Sequence, residues 1–432
     1  MVQKYPCGQR YRIANPYNGR RQARARRAGD RESLLKYVVL IIDGASGWPA
    51  AALGGRTSLE TARIPNLDRL AQEGRVGTVA NVPEGMEASS AIACMSVMGF
   101  DPALYYCGRG PIEAAAMGVE LEPGQVAMRC NLVTVVDGLM ASYSAGNIPS
   151  AESAELVASL EAGLGDERCR FYPGVSFRHI LTVRDGKELL STTFTPPHDI
   201  SGLPIEGSLP AGPGASLALD LMERSKALLD GHPVNERRLA RGKPAATQIW
   251  LFWPGMRPAE MPAFTELYAG RKAALTSPVD LLKGMAVQTG VDFLPIPNVT
   301  DGPDNDYEGQ MRAALDALAG HDLVFVHVES PDEAGHQGDA AGKVEAIEKV
   351  DALMVPQVME AAATVPGGLR LLVLPDHPTP LEIKTHVAEP VPFLMWGPGC
   401  DADGAAAYTE KEARATGFAV APGHLLMSQF LS

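Results

Sequence analysis

The 432-residue chain holds no uninterrupted apolar run of about twenty residues, so no membrane-spanning helix is expected. It also lacks paired cysteines. Cys7, Cys94, Cys107, Cys130, Cys169 and Cys400 are scattered without C-x-x-C spacing, which argues against a disulfide framework and a thiolate metal site and suits a reducing cytoplasm. The apolar run of a secretory signal is missing, as are internal repeats and low-complexity tracts. Positive charge is scarce beyond the first residues. The net charge is -13, yet residues 1–36 carry ten Lys and Arg against Asp30 and Glu32, leaving about -21 for the rest. An acidic body excludes nonspecific nucleic-acid binding by the folded part and suits metal cations held near carboxylates. Apolar residues are plentiful at 46%, and the length exceeds that of one ordinary domain, so two domains with a large core are expected.

The segment GRRQARARRAG is Arg-rich and acid-poor, a pattern shared by nucleic-acid or membrane arms, organellar transit peptides and dispensable tails. Residues 1–36 are therefore read as a flexible basic extension. Periodic structure begins at KYVVLIIDG, a β-branched run ending in Asp43, the pattern of a strand buried on both faces of a parallel sheet. In IPNLDRLAQEG, Pro65 opens a helix, Leu67, Leu70 and Ala71 share a face, and Gly74 stops it. A second helix is expected in SSAIACMSVMG, capped by Ser89 or Ser90 and ended by Gly99.

From residue 108 to 273 the texture changes to short strands between Gly and Asp turns, read as an inserted α+β cap domain. Parallel-sheet texture returns with HDLVFVHVE and LRLLVLPDH, separated by the helix AGKVEAIEKVDALMVPQVMEAAA. The expectation is an α/β fold with a discontinuous core, residues 37–107 and 274–432, and a cap closing a cleft over the carboxyl ends of its strands.

Three expected strands end in acids or histidines: Asp43; Asp332 and His336; Asp376 and His377, with His386 shortly after. Taken singly, each Asp reads as a strand-end cap and each His as a surface or satisfied core residue. Gathered on one rim, they form a set of oxygen and nitrogen ligands suited to Mn, Zn, Co or Mg. Asp332 and His336 lie four apart, on one face of a helical turn. His327, inside a strand, reads as an ordinary buried imidazole supporting the site at most. Two metals on such a rim suit phosphoryl chemistry, with Ser89 or Ser90 at a helix N-terminus as the nucleophile.

DGASGWP, LGGRTSLETARIPNLDRLAQEG, GFDPALYYCGRGPIEA, RCNLVTV, PHDISG, HVESPDEAGHQGD and PDHPTPLEIKTHVAEPVPFLMWGPG together resemble the archaeal-type cofactor-independent phosphoglycerate mutases of the alkaline phosphatase superfamily. The resemblance covers nearly everything after residue 36. It implies an alkaline-phosphatase-like core and two divalent metals, manganese foremost, with no 2,3-bisphosphoglycerate. Asp43, Ser90, Asp376 and His377 would hold one metal, and Asp332, His336 and His386 the other. Ser90 would carry the phosphoryl group between 3- and 2-phosphoglycerate while glycerate reorients in a closed, water-free cleft. Arg109, Arg129, Arg178, His179 and Arg238 would bind the substrate, and His198 and Asp199 would move its hydroxyl proton.

The chain departs from the family pattern at Ala91, Cys94, Ser144, Asn147, Thr247 and Gln310. These changes leave the metal ligands intact but alter expected substrate contacts. A phosphatase or phosphotransferase on the same scaffold, acting on another small substrate such as a homoserine-type acceptor, is the alternative. A noncatalytic relative whose basic arm binds a partner is a third. A small phosphorylated compound is the expected partner, without nucleic acid or membrane, and no pattern sets the oligomeric state.

Overall fold

The KYVVLII run forms strand β1 (Lys36–Ile42), buried from Tyr37 onward because strands flank it on both sides and helices cover both faces. The computed structural model describes residues 35–258 and 260–432, so most of the basic extension lies outside the described residues. After β1 come β2 (Arg75–Val79), β3 (Val126–Val136), β4 (Leu139–Ser142), β5 (Cys169–Tyr172), β6 (Arg178–Val183) and β7 (Gln248–Met256). There follow β8 (Ala273–Thr276), β9 (Asp292–Phe293), β10 (Leu323–Val328), β11 (Leu369–Leu374), β12 (Val391–Trp396) and β13 (Ala419–Val420).

The chain divides into two units, Tyr106–Met261 and the core formed by residues 35–105 and 262–432. The core sheet runs β13-β2-β12-β11-β1-β10-β8-β9 and is parallel except where β12 meets β11 and β2. On one face Val38, Leu40, Val324, Val326, Leu371 and Val373 pack against helix residues Leu67, Leu70, Met311, Ile347 and Val358. The expected helix at Pro65 runs Pro65–Glu73 and buries Leu67, Leu70 and Ala71.

One long helix expected after β10 is interrupted. Ala340–Lys349 passes through a π turn, Val350–Met354, into Val355–Thr364. Pro356 has no N–H to donate, and the chain widens ahead of it. In that turn Asp351 accepts hydrogen bonds from the backbone N–H of Leu67 at 2.7 Å and of Asn66 at 3.3 Å, satisfying the start of the Pro65 helix.

In the unit Tyr106–Met261, the eleven-residue β3 pairs antiparallel with β4, β6 and β7, and β5 adds beside β6. Helices Ser150–Leu164 and Ala215–Leu229 bury Leu156, Leu160, Leu221 and Met222 in its core. This unit ends earlier than the boundary expected at residue 273. Residues 262–273 belong with the core because two aromatics anchor them there. Phe264 meets Phe325 of β10 edge-on at 5.9 Å, and the Tyr268 hydroxyl donates to the Gly99 carbonyl at 2.9 Å.

Candidate active site

Register fixes the rim. Ile41 of β1 pairs with His327 of β10 and with Leu374 of β11, all parallel, so Asp43, Glu329 and Asp376 each stand two residues beyond one level of the sheet. Beyond β10 the chain turns into the helix Ser330–Gln337, which carries Asp332 and His336 on one face. Beyond β11 the Asp376 carboxylate accepts hydrogen bonds from the backbone N–H of His377 at 2.8 Å and of Gly44 at 3.3 Å, locking the two rim loops together. Gly44 has a φ of +60°, and a Cβ there would meet Asp332 Oδ1 at 2.4 Å. Only glycine lets these loops approach.

Two clusters result. In one, His377 Nε2 lies 3.2 Å from Asp376 Oδ2, 3.7 Å from Asp43 Oδ1 and 3.1 Å from Ser90 Oγ. In the other, Asp332 Oδ2 lies 3.0 Å from His336 Nε2 and 3.5 Å from His386 Nε2, and those two nitrogens are 2.8 Å apart. The clusters adjoin, since the His377 and His386 rings stack at 3.9 Å and Asp43, Asp332 and His377 present ligand atoms within 4.8 Å of one another. Ser90 opens the helix Ser90–Val97 and reaches the rim. Ser89 is its N-cap residue, and its buried hydroxyl finds no hydrogen-bond partner among the described residues.

Residues not singled out from sequence complete the rim. Glu329 is 3.5 Å from His327, and Thr379 donates a very short hydrogen bond to Asp332. Glu329 follows its strand as Asp43 follows β1, so the strand-end pattern held the signal. His327, expected to be an ordinary buried imidazole, joins Asp43 Oδ2 at 2.7 Å and Ser277 Oγ at 3.0 Å, which fixes the orientation of the Asp43 carboxylate. Lys343, fully buried, donates to the carbonyls of Ser46 and Thr379 at 3.1 and 2.7 Å, tying the loop after β1 to the loop after β11.

Four buried carboxylates cannot all ionise unaided. Burial, then the charges of Asp376, Glu329 and Asp332, pushes Asp43 well above the usual carboxylate range, and burial with Asp332 does the same to Glu329. Burial would also raise Asp332, but hydrogen bonds from His336 and His386 outweigh it and hold it well below. His336, bonded to Asp332, is pushed up to about 9. Among the described residues, Asp43 Oδ1 and Glu329 Oε2 find no hydrogen-bond partner and are buried. Orphaned carboxylate oxygens and two imidazole nitrogens converging on a third carboxylate fit divalent cations, which would supply the missing positive charge.

The other unit gathers most of the expected substrate residues. Glu113 accepts from Arg109 Nε at 2.7 Å and pairs with Arg129. The Arg109 guanidinium lies 4.2 Å over Trp253, and the His198 ring stands edge-on to Trp253 at 5.6 Å. Asp199 is exposed, 3.6 Å from His198. His179 is buried, accepts from the Gly174 N–H at 3.0 Å, and is held neutral by burial and Arg129, which push it down to about 3. Arg178, on β6, is exposed and lies over Phe177 at 5.4 Å.

Arg238 does not join them. It is 2% exposed, pairs with Glu152 at 2.6 Å and donates to the carbonyls of Pro244 and Ala145 at 2.8 and 2.6 Å. All three of its guanidinium nitrogens are thus engaged within its own unit.

Most departures from the family pattern contact the protein itself, while Asn147 is exposed. Gln310 is buried and donates to the His327 carbonyl at 2.9 Å, and Thr247 accepts from the Val135 N–H at 2.8 Å. Ser144 accepts from the Asn147 N–H at 3.2 Å within one turn. Ala91 is buried, and Cys94 donates to Asp376 Oδ2 at 3.4 Å.

These clusters make the rim a candidate divalent-metal centre of an α/β protein, with a serine hydroxyl presented to it. A family model described as 2,3-bisphosphoglycerate-independent phosphoglycerate mutase matches residues 71–235. The protein of that name from Methanothrix thermoacetophila is 46% identical over 393 residues, covering 91% of this chain and 98% of its own. Its Methanosarcina barkeri counterpart is 45% identical over 383 residues, 88% of this chain and 95% of its own. The solved cofactor-independent phosphoglycerate mutase from Thermoplasma acidophilum superposes with a TM-score of 0.63 at 25% identity, covering 92% of this chain and all of that one. The chain belongs to the family of 2,3-bisphosphoglycerate-independent phosphoglycerate mutases.

Proposed function

We propose that the protein is an isomerase interconverting 3-phosphoglycerate and 2-phosphoglycerate through phosphorylated Ser90, without 2,3-bisphosphoglycerate. Family membership supports the reaction, and the approach of Ser90 Oγ to His377 Nε2 at 3.1 Å is the observation that carries the residue assignment. Asp43, Ser90, Asp376 and His377 would hold one cation, and Asp332, His336 and His386 the other. When bound, two divalent ions, manganese in this reading, would withdraw charge from the phosphoryl oxygens and the serine hydroxyl.

The protein's own groups then have definite tasks. Ser90 Oγ bonds to phosphorus as the bond to the glycerate oxygen breaks, and the reverse step hands the phosphoryl group to the other hydroxyl. His198, kept below its ordinary titration range by burial, is neutral at pH 7 and accepts the hydroxyl proton, with Asp199 beside it. Arg109, Arg129 and Arg178 meet the anionic groups of the substrate. Of the departures that opened the phosphatase and phosphotransferase alternative, Gln310, Thr247 and Ser144 contact backbone, Cys94 donates to Asp376, and none replaces a proposed ligand, so the chemistry at the rim is kept. A cytoplasmic place in sugar breakdown and synthesis follows from this reading.

Acid-quenched protein incubated with manganese and 3-phosphoglycerate should carry phosphate on Ser90, found by peptide mass spectrometry, and Ser90→Ala should carry none. Phosphate on Ser89 in that variant would overturn the assignment.

A further inference from the structure

We propose that Glu113, absent from the substrate residues assigned above, is a positioning residue that presets Arg109 and Arg129 to receive the anionic groups of phosphoglycerate. The inference rests on the mutase reading and adds the element that shapes its anion site.

Glu113 is the fourth residue of the helix Gly110–Ala116 and is 6% exposed. Its two oxygens serve two guanidiniums from different elements. Oε1 accepts from Nε of Arg109, which precedes the helix, and Oε2 pairs with Nη1 of Arg129, on β3. Each guanidinium is fixed a second way. Arg109 lies over the Trp253 ring at 4.2 Å, and Arg129 Nε donates to Asn131 Oδ1 at 3.1 Å.

A carboxylate buried between two arginines has two physical consequences. It cancels one of two positive charges, which by itself weakens attraction for an anion. It also holds two long side chains in one geometry, so less rotamer freedom remains to be lost when the anion arrives. The net charge of the three side chains stays at +1, and both neighbouring histidines feel it. Burial is the main cause that lowers His179 and His198, and Arg129 adds to the depression of both. The cluster therefore remains cationic with Glu113 in place, and the carboxylate's contribution is order.

The two consequences predict opposite signs, which makes the test decisive. 3-Phosphoglycerate is titrated calorimetrically into manganese-loaded Ser90→Ala protein, with and without Glu113→Gln and Glu113→Asp. Positioning predicts that Kd rises by about tenfold in Glu113→Gln despite the added positive charge, and by less in Glu113→Asp, which retains the charge with a shorter reach. An unchanged or smaller Kd in Glu113→Gln would overturn the proposal. Should that variant fail to show a native circular dichroism spectrum, Glu113→Asp decides alone, and binding equal to the parent would overturn it. If the Ser90→Ala parent retains two manganese ions by elemental analysis and yet binds no 3-phosphoglycerate, the mutase reading is at fault instead. Inorganic sulfate then tests Glu113 separately, with weaker binding to Glu113→Gln than to the parent expected and equal or tighter binding contradicting the proposal.

Discussion

Arg238 offers the sharpest separation of a structural charge from a substrate-binding one. Arg238→Met keeps most of the volume and removes one ion pair and two hydrogen bonds to carbonyl oxygens. Glu152 retains Arg241 and partial exposure, so its loss is small. The carbonyls of Ala145 and Pro244 lose their arginine donor, at about 1–3 kcal/mol each. The total, about 2–6 kcal/mol, spans the usual cost of breaking a buried pair from one side. For a unit of this size, that corresponds to a drop in Tm of roughly 4–24 °C by scanning calorimetry. KM for 3-phosphoglycerate, measured well below that melting range, should hold its wild-type value. A Tm within about 2 °C of wild type, together with a raised KM, would refute the reasoning and return Arg238 to the substrate.

Three further outcomes are expected. His336→Ala and His386→Ala should each lower bound manganese by elemental analysis, and unchanged stoichiometry in both would contradict the two-cluster rim. Lys343→Met should lower Tm, because the Ser46 and Thr379 carbonyls lose a buried donor at about 1–3 kcal/mol each; an unaltered melt would show that the lysine does not hold the loops. His179 has a folded-state pKa of about 3 against an ordinary 6.5. Below pH 6.5 the unfolded chain takes a proton that the folded chain refuses, so stability falls as pH falls. The slope is about 1.4 kcal/mol per pH unit until pH 3 is approached. Denaturant unfolding between pH 7 and 5 should give a shallower slope in His179→Gln, and equal slopes would contradict the assignment.

The rim was legible because parallel strands buried on both faces read as unbroken β-branched runs, and whatever ends them lies at one level. Asp43 and Asp376 follow from that rule, and Asp332 and His336 from helical spacing. Glu329 obeys the same rule but is flanked by more conspicuous candidate ligands. His327 was placed correctly in its strand, yet its bond to Asp43 depends on sheet register that single-strand alternation does not contain.

The burial of Arg238 was not legible, for a different reason. Its neighbour Arg237 is exposed and pairs with Glu155, while Arg238 is buried against Glu152. The eight-residue helix Pro233–Ala240, half polar and half apolar, is too short for its periodicity to tell the two apart. The interrupted helix after β10 shows the limit of composition as well. Pro356 marks the break, but the widened turn before it shows its purpose only when Asp351 is seen against the Leu67 N–H.

The most direct test of the central claim is phosphorus NMR of the manganese-loaded protein with 3-phosphoglycerate. The account predicts that the 2-phosphoglycerate resonance grows while inorganic phosphate stays absent. Inorganic phosphate without the 2-isomer, or an unchanged spectrum, would contradict it.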